Sequence, residues 1–461
     1  MRPRYIAYCM WMVIALLGVV CFFVPADGWT IGKWNLRFPT LAEALDLPVP
    51  TPDTLHFTPD TLEPTPDTIV STPDTLHPTT DTLQQVLEPQ TSTPHTLQST
   101  PVLSTLAAFY QALDSADVMP VRVVHYGDSQ IEEDRITNIL RERWQQEYGG
   151  GGVGLIPLHQ TIPTRSIRQR LSINGTVQTV QGGPKRYLVY GPRSMRLEDN
   201  DYGAMGQVAV LDSTLVPGSE DVILNIEPIN KKLQSHNYFN RIRLLTDSVT
   251  ASTSMANSSS TNSLITLPDS TTHCELHLQG KGKVYGISLE TATGVIVDNI
   301  PMRGCSGNIF TRIDSASLSD FYRETNTRLI IMQFGGNMIP QTENTSTISG
   351  YVRTTLRQQI RYIRACAPQA SILFIGPSDM STNIDGKMTT YPLVPYMDQQ
   401  LKKMAQEENI AYWSMYDAMG GFESMVTWHD KGLAGSDYVH FTRTGANNIG
   451  KKLYNWIMEQ K

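Results

Sequence analysis

Apolar positions along the chain fall into three textures. Residues 5–24 form an uncharged apolar run, and residues 119–155 and 292–461 set continuous apolar stretches against segments of helical period. Between those two, residues 159–291 hold short stretches in which apolar and polar positions alternate. The continuous stretches at 121–126, 294–299, 329–334, 371–375 and 410–414 predict buried strands. Helical periods at 102–116 and 131–148, and a C-terminal helix starting near Thr442, make these parts a parallel sheet of βαβ units. The alternating stretches at 186–189, 240–245, 274–278 and 283–289, separated by Gly, Asn, Ser and Pro, predict an all-β, sandwich-like module.

Polar clusters follow the predicted buried strands: Gly127-Asp128-Ser129, then Gly304 beyond Pro301, then Gly335-Gly336-Asn337, then Gly376-Pro377-Ser378-Asp379. Open α/β sheets place ligands at the carboxyl ends of their strands, so Ser129, Gly304 and Asn337 are aimed at one crevice. Ser129 falls on a tight strand-to-helix turn, near backbone N–H groups that lack intrahelical partners, which makes its hydroxyl a candidate nucleophile. Asp437-Tyr438-Val439-His440 precedes the last helix, and a carboxylate three residues before an imidazole can hold one ring nitrogen while the other faces outward as a base. Gly149-Gly150-Gly151-Gly152 lacks the Gly-Lys-Ser/Thr ending of a phosphate loop and reads as a helix stop and flexible exit, so no nucleotide is expected. His125 reads as a core histidine, Trp428-His429-Asp430 as an exposed loop, and Ser378 and Asp379 as the rim of the site. His273-Cys274-Glu275-Leu276-His277 lies in strand texture, not the helix a zinc protease needs, so no metal is expected.

Composition narrows the partners. A net charge of −7 over 461 residues, without clustered Lys and Arg, excludes a nucleic-acid footprint. The five cysteines are odd in number and widely spaced, giving neither a disulfide framework nor a metal knuckle. Arg2 and Arg4 before the apolar run at 5–24 predict a transmembrane signal-anchor or signal peptide over residues 1–30, with the body exported. From Thr51 a Thr-Pro-Asp-Thr unit recurs at seven-residue spacing. Its prolines exclude a coiled coil and predict a disordered, extended stalk over residues 31–100, in which the repeat from Thr51 reaches at most about 150 Å.

The blocks Gly127-Asp128-Ser129, Gly304, Gly335-Gly336-Asn337 and Asp437-x-x-His440, in that order, resemble those of the SGNH hydrolases, also called GDSL esterases. The resemblance implies a flavodoxin-like three-layer α/β domain in two parts, residues 101–158 and 292–461, interrupted by the β-rich module at 159–291. That module is similar to the carbohydrate-binding-like insertion of certain peptidoglycan O-acetylesterases of this family. It further implies Ser129 as nucleophile, His440 as base, Asp437 as its orienting partner, and an oxyanion hole of Ser129, Gly304 and Asn337, with Gly307 the nearest rival to Gly304. Gln130 departs from the family pattern, where many members have Leu. The stalk threonines Thr54, Thr61, Thr68, Thr75 and Thr82 resemble acceptors of a bacterial O-glycosylation system. The expectation is an exported esterase that removes O-acetyl groups from an acylated carbohydrate and needs no cofactor. An O-acetyltransferase using the same triad and a catalytically silent sugar-binding surface protein are the alternatives.

Overall fold

The computed structural model describes residues 29–31, 34–36, 103–179, 183–229, 234–256 and 263–461. The chain divides into two units, residues 1–93 and 94–461. In the first, Trp29–Ile31 pairs antiparallel with Trp34–Leu36, within the stretch expected to be anchor and stalk. The apolar run at 5–24 and the threonine repeats lie outside the described residues. Among the described residues no helix is long and apolar enough to cross a membrane.

The second unit contains a five-stranded, all-parallel sheet. Its strands are β1 (Pro120–Gly127), β2 (Gly294–Pro301), β3 (Thr327–Gln333), β4 (Ser371–Ile375) and β5 (Ala411–Trp413), and they lie in the order β2-β1-β3-β4-β5. This doubly wound order puts the crevice where the chain reverses direction across the sheet, beside β1. Successive residues point to opposite faces, and both faces are covered. Val121, Val123, Leu329 and Ile331 pack under the helices Leu103–Leu113, Thr137–Tyr148 and Arg443–Glu459. Val124, Tyr126, Ile330 and Met332 pack under Ser315–Glu324, Arg357–Cys366 and Val394–Glu407. Each such side chain withdrawn from water contributes about 1.5–3 kcal/mol. The register sets Pro301 and Gln333 opposite Gly127, Gln333 opposite Ile375, and Ile375 opposite Trp413, so all five carboxyl ends finish level.

Between β1 and β2 the chain forms a sandwich of two antiparallel sheets. One is built on Gly282–Glu290 and Phe239–Asp247, the other on Asp221–Pro228, Ile167–Ile173 and Cys274–Gln279. Their inward residues, among them Val222, Leu224, Ile226, Leu276, Ile242 and Ile287, make a separate core. A buried ionic network joins the sandwich to the parallel sheet. Arg122 of β1 binds Asp298 of β2 at 2.6 Å and also Glu290 and Ser288 of the sandwich strand, and Asp298 accepts from the Leu155 amide at 2.8 Å.

Two expectations are corrected. The glycine run is not a flexible exit. A Cβ on Gly150 would lie 2.5 Å from the Val295 carbonyl oxygen and one on Gly152 would lie 2.0 Å from that of Leu289, so backbone packs on backbone and only glycine fits. The helix predicted from residue 131 begins at Thr137. Ser129–Asp134 is a 3₁₀ turn broken at Glu132 and Glu133, with Glu133 and Asp134 at positive φ. Two ion pairs hold this break: buried Glu132 to the exposed Arg303 at 2.6 Å, and Asp134 to Arg141, both buried.

Candidate active site

Three of the level strand ends carry the residues singled out in the sequence. At β1, the Asp128 carboxylate caps the turn by accepting from the Gln130 amide at 3.0 Å, and this leaves Ser129 as the first residue of the turn. At β2, the Met302 amide donates to the Gly127 carbonyl at 2.8 Å and the Cys305 amide to Met302, so the turn carrying Gly304 is fastened to the end of β1. At β3, Gly335 at φ +119° starts the short turn that presents Asn337.

The fourth block reaches Ser129 from the far end of the chain. The Ala434–Phe441 bridge and the Gly435 amide on the His440 carbonyl, 2.8 Å, close the loop into a tight hairpin. His440 Nδ1 lies 2.7 Å from Asp437 Oδ2 and Nε2 lies 2.8 Å from Ser129 Oγ. Asp437 Oδ1 accepts from the Val439 and His440 amides, both at 3.0 Å. Burial pushes the Asp437 pKa up, but the His440 ring and these amides outweigh it and hold the carboxyl at about 2. As an anion at neutral pH it can only accept, so the His440 proton sits on Nδ1 and Nε2 is free to take the Ser129 proton.

Asp128 is buried, and desolvation, opposed by the Gln130 amide and His440, raises its pKa to about 6. Asn337 Nδ2 donates to Asp128 Oδ2 and to the Cys305 carbonyl, both at 3.2 Å, which ties the β1, β2 and β3 ends together. Gly304 is exposed, and a Cβ there would meet no atom within 4 Å. Gly307 is buried against Phe334, and its amide donates to Cys305 Sγ at 3.2 Å.

Several other expectations meet the structure here. His125 is buried between Thr137 Oγ1 at 2.9 Å and Gln333 Oε1 at 3.1 Å, and desolvation lowers its pKa to about 4. Residues 428–430 are not an exposed loop. Trp428 is buried in the helix Ser424–Asp430, and His429 stacks on Tyr438 with centroids 4.2 Å apart, bracing the His440 hairpin from outside. Ser378 and Asp379 lie beneath the site, not on its rim, and are both buried.

Sequence reasoning missed Gln130 as a participant, registering it only as a departure from a pattern. Its buried amide donates to the Val439 carbonyl at 2.6 Å and to Ser378 Oγ at 3.1 Å, so it ties the Ser129 turn to the His440 hairpin. The polar side chain directly after the serine was the available signal.

A hydroxyl, an imidazole and a carboxylate in one hydrogen-bonded line, at the ligand-binding edge of a doubly wound sheet, is an arrangement suited to acyl transfer through a serine. Residues 269–447 match the model of the GDSL-like lipase/acylhydrolase family, a stretch that holds Gly304, Asn337, Asp437 and His440 but starts after Ser129. The chain carries an ester hydrolase domain of the SGNH/GDSL type. No curated protein matches the chain. Among solved structures, a peptidoglycan O-acetylesterase is 19% identical with a TM-score of 0.57, covering 78% of this chain and 95% of that one, a likeness of fold. An acetyl xylan esterase (11% identical, TM-score 0.26, 35% of this chain and 81% of that one) superposes too loosely to carry an argument. So does a GDSL-like lipase from Parabacteroides merdae (13%, TM-score 0.27, 36% and 74%).

Proposed function

We propose that this protein is an exported serine esterase that removes O-acetyl groups from a carbohydrate of the cell envelope or a related polysaccharide. The observation that carries the reading is the unbroken Ser129–His440–Asp437 hydrogen-bond chain at the level strand ends. In this reading Ser129 Oγ attacks the acetyl carbonyl carbon as His440 Nε2 takes its proton. The tetrahedral oxyanion is received by the Ser129 and Gly304 amides and the Asn337 side chain, each such donor contributing about 3–4 kcal/mol to the transition state. Both Asn337 contacts are long, at 3.2 Å, so a developing oxyanion, a stronger acceptor, competes with them readily. Gly304 suits the role better than Gly307, whose amide is already engaged. His440 returns the proton to the departing sugar hydroxyl, and water activated by the same ring then releases acetate from Ser129.

Export rests on the uncharged run at 5–24 behind Arg2 and Arg4, read as a membrane anchor, with the proline-rich repeats as a spacer. O-glycans on Thr54, Thr61, Thr68, Thr75 and Thr82 would stiffen that spacer, and an intact mass above that of the bare polypeptide is the expected sign. The sugar is chosen by the fold likeness to a peptidoglycan O-acetylesterase, the sole neighbour described above with a TM-score above 0.5.

The test is release of acetate from an O-acetylated glycan by the full chain, with a chromogenic acetyl ester in parallel. Turnover of both is expected. Folded protein that releases acetate from neither overturns the proposal.

A further inference from the structure

A cavity of about 380 Å³ lies where the sandwich meets the strand ends of the parallel sheet. That volume falls within the range of small-molecule sites, about 300–1,000 Å³. Its position is tied to the chemistry by two residues. Glu132, three positions after Ser129, and Arg303, directly before Gly304, both line the cavity and are joined by bonds of 2.8 and 2.6 Å, so the loops of nucleophile and oxyanion turn form part of its wall.

Three arginines face the cavity, and two are matched by carboxylates: Arg303 by Glu132, and Arg141 by Asp134. Glu133, the remaining acid in the wall, lies 3.6 Å from each of Arg135 and Arg165. Arg186 differs. It projects from the sandwich strand Lys185–Leu188, its Nη1 donates to Thr161 Oγ1 at 3.0 Å, and among the described residues no carboxylate pairs with it. It is partly buried, and burial lowers its pKa, which is the cost of holding a cation there without a counter-charge. A guanidinium has five N–H donors in a planar fork, and one is in use. Beside it the Tyr190 phenol, held protonated by burial with a pKa raised to about 12, is a neutral donor facing the same space.

We propose that this cavity is a subsite for a carboxylate-bearing sugar residue, with the Arg186 guanidinium receiving the carboxylate. Calling its occupant part of the substrate rests on the esterase reading; the binding does not. The sandwich then supplies recognition of an acidic glycan next to the loops that supply the chemistry.

Calorimetric titration of the full chain with methyl glucuronoside, N-acetylmuramic acid and neutral N-acetylglucosamine tests this. The two acids separate a ring carboxylate from a lactyl ether carboxylate. At least one acid is expected to bind about tenfold or more tighter than the neutral sugar, the usual scale of a charge-assisted hydrogen bond. Arg186→Gln should erase that preference. Arg186→Lys, which keeps the charge but loses the fork, should retain an intermediate one, separating loss of recognition from loss of folding. Equal binding of acid and neutral sugars, no binding of any, or a preference that survives Arg186→Gln overturns the subsite. Acid-selective binding by a wild-type protein that turns over no acetyl ester leaves the subsite standing and removes the esterase reading. Ester turnover without acid selectivity does the reverse.

Discussion

β1 and the sandwich strand Ile167–Ile173 are of similar length yet use their side chains differently. Every residue of β1 from Val121 to Gly127 is buried, because helices cover both faces of its sheet. Ile167–Ile173 buries Ile167, Leu171 and Ile173, leaves Arg168 and Arg170 exposed and half-buries Gln169 and Ser172, because only one face meets the sandwich core. A strand buried on both faces can present polar chemistry only beyond its end, and Ser129, Gly304 and Asn337 all lie there. A strand with a free face can present it along its length, as Lys185–Leu188 does with Arg186. In the proposed reading, reaction groups and recognition groups are thus separated by the way each sheet is covered.

The largest expected effect breaks the strand-end side of this contrast. Ser129→Ala or His440→Ala should remove essentially all ester turnover, and Asp437→Asn should lower kcat by up to about four orders of magnitude through loss of tautomer control. Steady-state kinetics on a chromogenic acetyl ester checks all three, and near-wild-type turnover in any one removes that residue from the mechanism. Next comes the joint between the regions. Arg122→Met leaves Glu290 and Asp298 buried with one fewer cation and should cost about 3–5 kcal/mol in denaturant unfolding. A loss below about 1 kcal/mol would mean that the network does not hold the sandwich to the sheet. The smallest effect sharpens the site itself. Gln130→Leu removes the tie to Val439 and should lower kcat about tenfold with KM little changed, the worth of one or two hydrogen bonds. An unchanged kcat would show that the hairpin holds His440 without help.

How much of this was legible beforehand depended on how local the determinant is. Ser371–Ile375 was readable to the residue because an apolar run between a turn and Gly376 has one reading at that length. The helix after Ser129 was misjudged because Glu132, in the break of its first turn, pairs with Arg303, a residue that no window around Ser129 contains. The glycine run was misread because a glycine needed for flexibility and one needed for close packing look alike until Val295 and Leu289 are in place.

The sequence by itself determined the run of strands, the polar residue waiting at each strand end, and the sandwich texture between β1 and β2, since periodicity and turn chemistry act over a few neighbouring positions. Tertiary structure alone decided that the five ends are level, that Gln130 reaches the hairpin three hundred positions away, and that one of three arginines around a cavity has no acid paired with it among the described residues. These depend on which distant side chains meet, and burial makes an unmatched charge or hydrogen bond costly enough for such meetings to matter.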